Sequence, residues 1–223
     1  MKGKIMIREV SIVPTILVDN KKDFRVQVEI INSFTRRVQI DVTDGVFAPT
    51  ETLDITNVWW PRGWEADLHM MVARPSEHLD TIFKLAPSLC IFHAEASEDL
   101  LPVFEELKNH GIKSGVALLP STYPGNVKQY LEAADHALIF AGQLGVQGSP
   151  ADLLQMEKIA LVRNIKPELE IGWDGGANLS NIRALAHADL DVINVGSAIS
   201  RAENPAGMFE QLVSEIDKSG VVL

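Results

Sequence analysis

Four polar segments carry residue types that could do chemistry together, and each closes an apolar run. The first is Gln39-Ile-Asp41-Val-Thr43-Asp44-Gly45. Side chains alternate along a strand, so Gln39, Asp41 and Thr43 share one face. If that face is inward, Asp41 is a buried carboxylate, costly unless a cation, a metal or a proton-transfer role compensates it. The plainer alternative makes Asp44-Gly45 a turn and points Asp41 at the helices through a hydrogen bond. The second segment, Asp67-Leu-His69-Met-Met-Val, sends Asp67 and His69 to one side, where His69 could meet Asp41. A strand histidine on its own is more often structural than a metal ligand, and a nearby carboxylate shifts that balance. The third, His93-Ala-Glu95, puts His93 behind these groups to orient another side chain, with a cap for the next helix as its alternative. The fourth, Ile171-Gly-Trp-Asp174-Gly-Gly-Ala-Asn, supplies a second carboxylate, Asp174.

Glycines follow that second acid. Gly175 and Gly176 would let backbone approach an anion, and a helix starting near Leu179 would offer unpaired N–H groups. Asn194-Val-Gly196-Ser197 repeats the pattern, a glycine and a hydroxyl ahead of a helix. Gly142-Gln-Leu-Gly145-Val-Gln-Gly148-Ser149 could close over the same anion with backbone donors. Each cluster alone reads as loop flexibility; three at one mouth suggest a phosphate.

The elements that must position these groups recur with a steady beat. Apolar, β-branched runs predict strands at 10–13, 38–42, 66–72, 89–93, 114–118, 137–140, 169–173 and 192–195. Helical periods fall between them at 21–32, 76–85, 100–110, 126–133, 150–165, 179–187 and 205–218. The stretch 45–65 has no sustained helical period, so the helix after the second strand is expected to be reduced or missing. Eight strands alternating with helices, without a linker, predict one (β/α)8 TIM barrel of the α/β class spanning 1–223. The rival, an open doubly wound sheet, lacks its Gly-x-Gly-x-x-Gly turn, since Val13-Pro-Thr-Ile-Leu follows the first strand. Barrel active sites gather at the carboxyl ends of the strands, where all the segments above fall.

Composition narrows the partners. Of 223 residues, 30 are acidic and 20 basic, a formal charge of −10 that opposes attraction to nucleic acid or to anionic membranes. No apolar run approaches the roughly 20 residues of a spanning helix. A single cysteine, Cys90, excludes an internal disulfide, and the start of the chain reads as a mature cytoplasmic N-terminus. Trp59, Trp60 and Trp64 crowd the irregular connection, where local packing over the barrel flank is favoured above a subunit interface.

From Pro14-Thr-Ile-Leu almost to the last helix, the chain resembles ribulose-phosphate 3-epimerases. The likeness rests on Asp41-Val-Thr-Asp-Gly-Val-Phe-Ala-Pro, Asp67-Leu-His-Met-Met-Val, Phe92-His-Ala-Glu-Ala, Gly115-Val-Ala-Leu-Leu-Pro, Asp174-Gly-Gly and Val195-Gly-Ser-Ala-Ile, in that order. It implies an isomerase of carbohydrate metabolism in the pentose phosphate pathway, acting on a phosphorylated ketose, with a homo-oligomer as its assembly. Asp41 and Asp174 then match the catalytic acid and base. Those two residues, His69 and, weakly, Gln39 match ligands of a divalent Zn, Fe, Mn or Co ion. Thr15, Gly145, Gly148, Gly175, Gly176, Gly196 and Ser197 match substrate or phosphate contacts.

Some positions depart from the family pattern. Gln39 stands where the family has histidine and Thr43 where it has methionine; Gln147 and Ser149 replace a glycine and a glutamine. An amide oxygen suits zinc or iron less well than imidazole, so weaker binding or a different ion is expected. A barrel that binds sugar phosphate but has lost metal-dependent turnover is the alternative. A decarboxylase or aldolase-type relative is disfavoured, because Asp41-Val-Thr43-Asp44 lacks the lysine between two aspartates that such decarboxylases use.

Overall fold

In the computed structural model, which describes residues 10–217, the eight apolar runs form parallel strands of one closed barrel in chain order. They are β1 (Ser11–Ile16), β2 (Arg37–Thr43), β3 (Glu65–Met71), β4 (Leu89–His93), β5 (Lys113–Leu118), β6 (His136–Phe140), β7 (Glu170–Asp174) and β8 (Val192–Val195), with β8 pairing back onto β1. Around them lie α1 (Lys21–Ile31), α2 (Leu79–Leu85), α3 (Leu100–Asn109), α4 (Lys128–Ala133), α5 (Glu157–Ile165), α6 (Ile182–Ala186), α7 (Ser197–Ser200) and α8 (Pro205–Ile216). Side-chain caps start the longer helices. Asn20 accepts from the Asp23 N–H, Asp99 from Leu101 and Asn204 from Gly207, each satisfying a donor that the first turn leaves free.

Several boundaries differ from expectation for local reasons. β1 runs on to Ile16, so Thr15 lies inside a strand. The stretches 76–85 and 150–165 open as 3-10 turns, Pro75–His78 and Leu153–Met156, before α2 and α5 begin. The helix expected at 179–187 contracts to α6, and the short α7, which the helical periods did not include, begins at Ser197 itself. The last helix stops at Ile216; Lys218, like the N-terminal Met1 to Glu9, lies outside the described residues. No helix among the described residues is long and apolar enough to cross a membrane.

The β2–β3 connection carries no α-helix, as the missing period implied, only the 3-10 turn Ile55–Asn57. Thr43 anchors it: its hydroxyl donates to the Thr50 carbonyl at 2.6 Å, and its N–H donates to Thr52 Oγ1 at 2.9 Å. The tryptophans cover the flank that a helix would have covered. Trp64 is buried and donates to Asn32 Oδ1 at 2.9 Å, Trp60 packs on the core, and Trp59 meets Phe24 edge-on at 6.1 Å.

Alternation divides the strand residues between two cores. Val38, Ile40, Val42, Leu68 and Ile139 belong to the large core shared with the helices. Leu89, Ile91, Ala117 and Leu138 form a small separate cluster, the apolar middle of the barrel lumen. Gly115 and Gly172 make room there, since a Cβ would come 2.8 Å from Ile91 and 2.7 Å from His136. Near the strand starts, Arg37 donates through Nε to Asp67 at 2.9 Å and through both Nη atoms to Glu170 at 3.1 Å. His136 Nδ1 completes this ionic plug at 2.7 Å from Glu170. Asp67, which alternation placed on the His69 side, therefore serves the amino end of the barrel and not the mouth.

Candidate active site

The same alternation that puts Arg37 at one end puts Gln39 and Asp41 at the other, and β2 pairs in register so that Asp41 lies opposite His69. Asp41 faces inward and is buried, against the alternative that it faces the helices. His69 Nδ1 lies 3.0 Å from Asp41 Oδ1 and 3.5 Å from Asp174 Oδ2. Asp44 is the turn residue. Its Oδ1 accepts from the N–H groups of Val46 and Phe47, and its Oδ2 accepts from Ala73.

Gln39 links the two acids. Its Nε2 donates to Asp41 Oδ1 at 2.9 Å and to Asp174 Oδ2 at 2.7 Å, while its Oε1 is buried without a partner. The expectation was an amide oxygen offered to an ion. The nitrogen faces the acids instead, because two carboxylates accept and do not donate.

Burial raises the Asp41 carboxyl to about 6, and the neighbouring Asp174 charge pushes the same way, against hydrogen bonds from His69 and Gln39. Burial pulls His69 down, but its hydrogen bonds to Asp174 and Asp41 outweigh that and lift it to about 9. His93 is lowered to about 4, by burial first and by the His69 charge as well. His69 therefore donates from both ring nitrogens, with His93 Nε2 accepting at 2.9 Å. His93 then carries its own proton on Nδ1, 3.5 Å from Glu95 Oε2. Glu95 is itself held by the Leu119 N–H at 3.0 Å and by the Thr122 hydroxyl. His93 thus lies behind His69, away from the cleft.

Asp41, His69 and Asp174 offer ligand atoms that all lie within 4.8 Å of one another. A half-turn of the Gln39 amide would bring Oε1 to the same point and give that orphaned oxygen a partner. Once His69 Nδ1 gives up its proton, these residues fit one divalent ion, with two carboxylates, an imidazole and an amide oxygen as donors.

Above this cluster opens a cleft of about 530 Å³ lined by both acids and by all of Thr15, Gly145, Gly148, Gly175, Gly176, Gly196 and Ser197. Gln39, His69 and His93 are fully buried and do not line it. The glycines serve the loops as much as any ligand. A Cβ on Gly175 would come 2.2 Å from the Gly142 nitrogen, and one on Gly176 would come 2.2 Å from the Ala151 nitrogen; both have positive φ. The helix start expected just after Gly176 is absent. Asn178 folds the chain back, donating to the Gly176 carbonyl at 2.9 Å and accepting from Ser180 at 2.9 Å, and α6 begins only at Ile182.

Two contributors escaped the sequence reading. Arg201 reaches back from the end of α7 to the Gln147 carbonyl at 3.2 Å, bracing the Gly148 loop. Asn194 interrupts an apolar strand and lines the cleft beside Asp174. An amide in a buried strand was the available signal for it.

A parallel barrel with facing acids and glycine loops at its carboxyl end defines a (β/α)8 enzyme-type scaffold. Comparison with known proteins resolves the family. The model of the ribulose-phosphate 3 epimerase family matches residues 11–200, and the chain belongs to that family, a family of isomerases. The ribulose-phosphate 3-epimerase of Schizosaccharomyces pombe is 27% identical over 188 residues, covering 82% of each chain. The cytoplasmic isoform from Oryza sativa is 29% identical over 189 residues, covering 82% of this chain and 83% of its own. Among solved structures, 3-hexulose-6-phosphate synthase from Salmonella typhimurium superposes with a TM-score of 0.70 at 16% identity, covering 93% of this chain and 98% of its own. Orotidine 5'-phosphate decarboxylase from Pyrococcus horikoshii gives 0.65 at 15% identity, covering 94% and 100%. These two share the fold.

Proposed function

We propose that the protein interconverts D-ribulose 5-phosphate and D-xylulose 5-phosphate, or a close ketose-phosphate pair, by moving a proton at C3. The observation that carries this reading is the pair of acids, Asp41 and Asp174, held by one Gln39 nitrogen at the floor of one cleft. Epimerisation beside a ketone needs one group to take a proton from one face and another to return a proton to the opposite face. One carboxyl must therefore start protonated. The upward displacement of Asp41 supports it as that proton holder, with Asp174 as the base. Asp174 takes the C3 proton, the electron pair moves into an ene-diolate, and Asp41 gives its proton to C3 from the other side. The reverse reaction exchanges the two roles.

When bound at Asp41, His69, Asp174 and Gln39, a divalent ion supplies positive charge for the ene-diolate oxygens. Of Zn, Fe, Mn and Co, the oxygen-rich donor set favours Mn. Thr15, Gly145, Gly148, Gly175, Gly176, Gly196 and Ser197 surround the space for the sugar and its phosphate. Backbone donors there reconcile an acidic protein with an anionic substrate. We take 1–223 as one barrel domain that acts as a homo-oligomer.

Turnover of ribulose 5-phosphate in deuterium oxide tests the reading. Deuterium is expected at C3, and both Asp41→Asn and Asp174→Asn should abolish its entry. Calorimetric binding of the sugar phosphate without deuterium uptake, across added divalent metals, would replace the enzyme with a non-catalytic binder.

A further inference from the structure

Asn194 is the third residue of a four-residue strand that is otherwise Val192, Ile193 and Val195. It is 3% exposed, and its Oδ1 is buried with no hydrogen-bond partner. An asparagine is a poor strand former, and an unpaired amide oxygen in a barrel interior opposes folding. Nothing among the described residues uses it. Folding would favour an apolar residue here, as at the other three positions of the strand, so the amide answers a need outside the protein.

The strand register says which need. Asn194 is paired with Asp174 on β7, level with the acids, and it lines the same cleft. Two and three residues further along come Gly196 and Ser197, which line the same cleft and where the proposed function puts the phosphate. Across the β8–β1 seam, Thr15 Oγ1 is a second buried oxygen without a partner, on the same wall. An orphaned acceptor calls for a donor, which excludes a ketone or an ionised phosphate and selects a hydroxyl.

Resting on the proposed function above, we infer that Asn194 is a specificity-determining residue whose Oδ1 accepts a hydrogen bond from the substrate's C4 hydroxyl. With C3 at the acids and the C5 phosphate at Gly196 and Ser197, C4 is the carbon left beside Asn194. The site therefore distinguishes phosphorylated ketoses by the group on the carbon between the reacting centre and the phosphate-bearing one.

The test replaces Asn194 with the near-isosteric leucine and compares ribulose 5-phosphate with its 4-deoxy analogue. For ribulose 5-phosphate, Asn194→Leu should lower kcat/KM about 10-fold or more, because a polar group in a dry site loses its partner. For the analogue, wild type and variant should differ by less than about 3-fold. Melting of the ligand-free variant should be unchanged or higher, since an unpaired buried amide has been removed. A purely structural asparagine predicts the reverse: lower melting, and equal losses on both compounds. Either of those results overturns the inference. Asn194→Ala repeats the comparison should the leucine fail to fold. If wild type turns over neither compound, the proposed reaction falls. The role of Asn194 is then decided by calorimetry, because a preference for ribulose 5-phosphate over the analogue that vanishes in the variant supports it, and its persistence refutes it.

Discussion

The two ends of the barrel lumen are built from the same strands and solve opposite problems. At the amino end, Arg37 of β2, Asp67 of β3 and Glu170 of β7 form a network in which both acids touch a fixed cation. At the carboxyl end, two to four residues along those strands, Asp41, His69 and Asp174 crowd together with a neutral amide, and among the described residues no lysine or arginine pairs with them. One end pairs its charged groups with one another, although His136 Nε2 is left buried without a partner there. The other leaves an excess of carboxylate, an orphaned Gln39 oxygen and an orphaned Asn194 oxygen, all of which an ion or a sugar can satisfy. Stability and chemistry are thus separated along the barrel axis, and substitutions at the two ends should have opposite signatures.

The largest contrast is expected at the mouth. Asp41→Asn or Asp174→Asn should reduce turnover by about 10³-fold or more, since general acid–base help of that order is lost. The metal-free variants should melt at the same temperature as wild type or higher, because one of two mutually repelling carboxylates is gone. Turnover assays and scanning calorimetry on one preparation check both halves. A variant that loses stability together with activity would erase the distinction between the ends.

At the opposite end, Arg37→Met should destabilise the fold by about 2 kcal/mol and leave kcat/KM of the folded protein within a factor of about 2. Glu170 is one-third exposed, which keeps this below the cost of breaking a fully buried pair. Urea titration reads the first quantity and initial rates the second. Unchanged stability would mean that the network contributes nothing beyond solvated ions.

A smaller effect sharpens the account of the mouth itself. Gln39→His should tighten zinc by about 10-fold, because imidazole replaces an amide whose nitrogen must first turn away from the acids. Chelator competition measures it, and the Arg37→Met protein serves as the control in which zinc affinity should not move.

Much of this could be anticipated from residue order. β-Branched runs bounded by glycine and aspartate marked each strand, and the two-residue period put Asp41 with His69 because in a closed parallel sheet one face of every strand must point into the lumen. The absent helical period announced the missing helix, and the tryptophans what replaces it, since large indoles need a flank to cover. What escaped was set across strands or between loops. The outward turn of the Gln39 oxygen depends on two carboxylates from β2 and β7, which no local pattern reports. The helix expected after Gly176 yielded to the side-chain turn at Asn178, which competes for the backbone that a helix would use. Thr15 was chosen by family likeness, and β1 had to run three residues further for it to reach the cleft.

The smallest predicted effect is on pH dependence, and it sets the two ends against each other. Burial alone would raise Glu170, but hydrogen bonds from His136 and Arg37 hold its carboxyl below the ordinary 4.5. Its contribution to stability is therefore present above 4.5 and lost as pH falls through and below that value. Asp41 moves the other way, raised from 3.8 to about 6, so its contribution is present below 3.8 and lost as pH rises through 6. Acidifying the metal-free protein from pH 7 relieves Asp41, against the growing cost of keeping buried His93 neutral below 6.5, and then unloads the plug. In Glu170→Gln the relief should remain and the later loss shrink, whereas in Asp41→Asn only the loss should remain. Each difference should be below about 1 kcal/mol, because Glu170 is partly exposed and Asp41 is tied to its neighbours. Urea midpoints at half-unit steps between pH 7 and 3.5 would resolve it. Parallel curves for Glu170→Gln and wild type below pH 4.5 would show that the plug does not hold its acid ionised, and that the charge separation between the ends is weaker than the geometry implies.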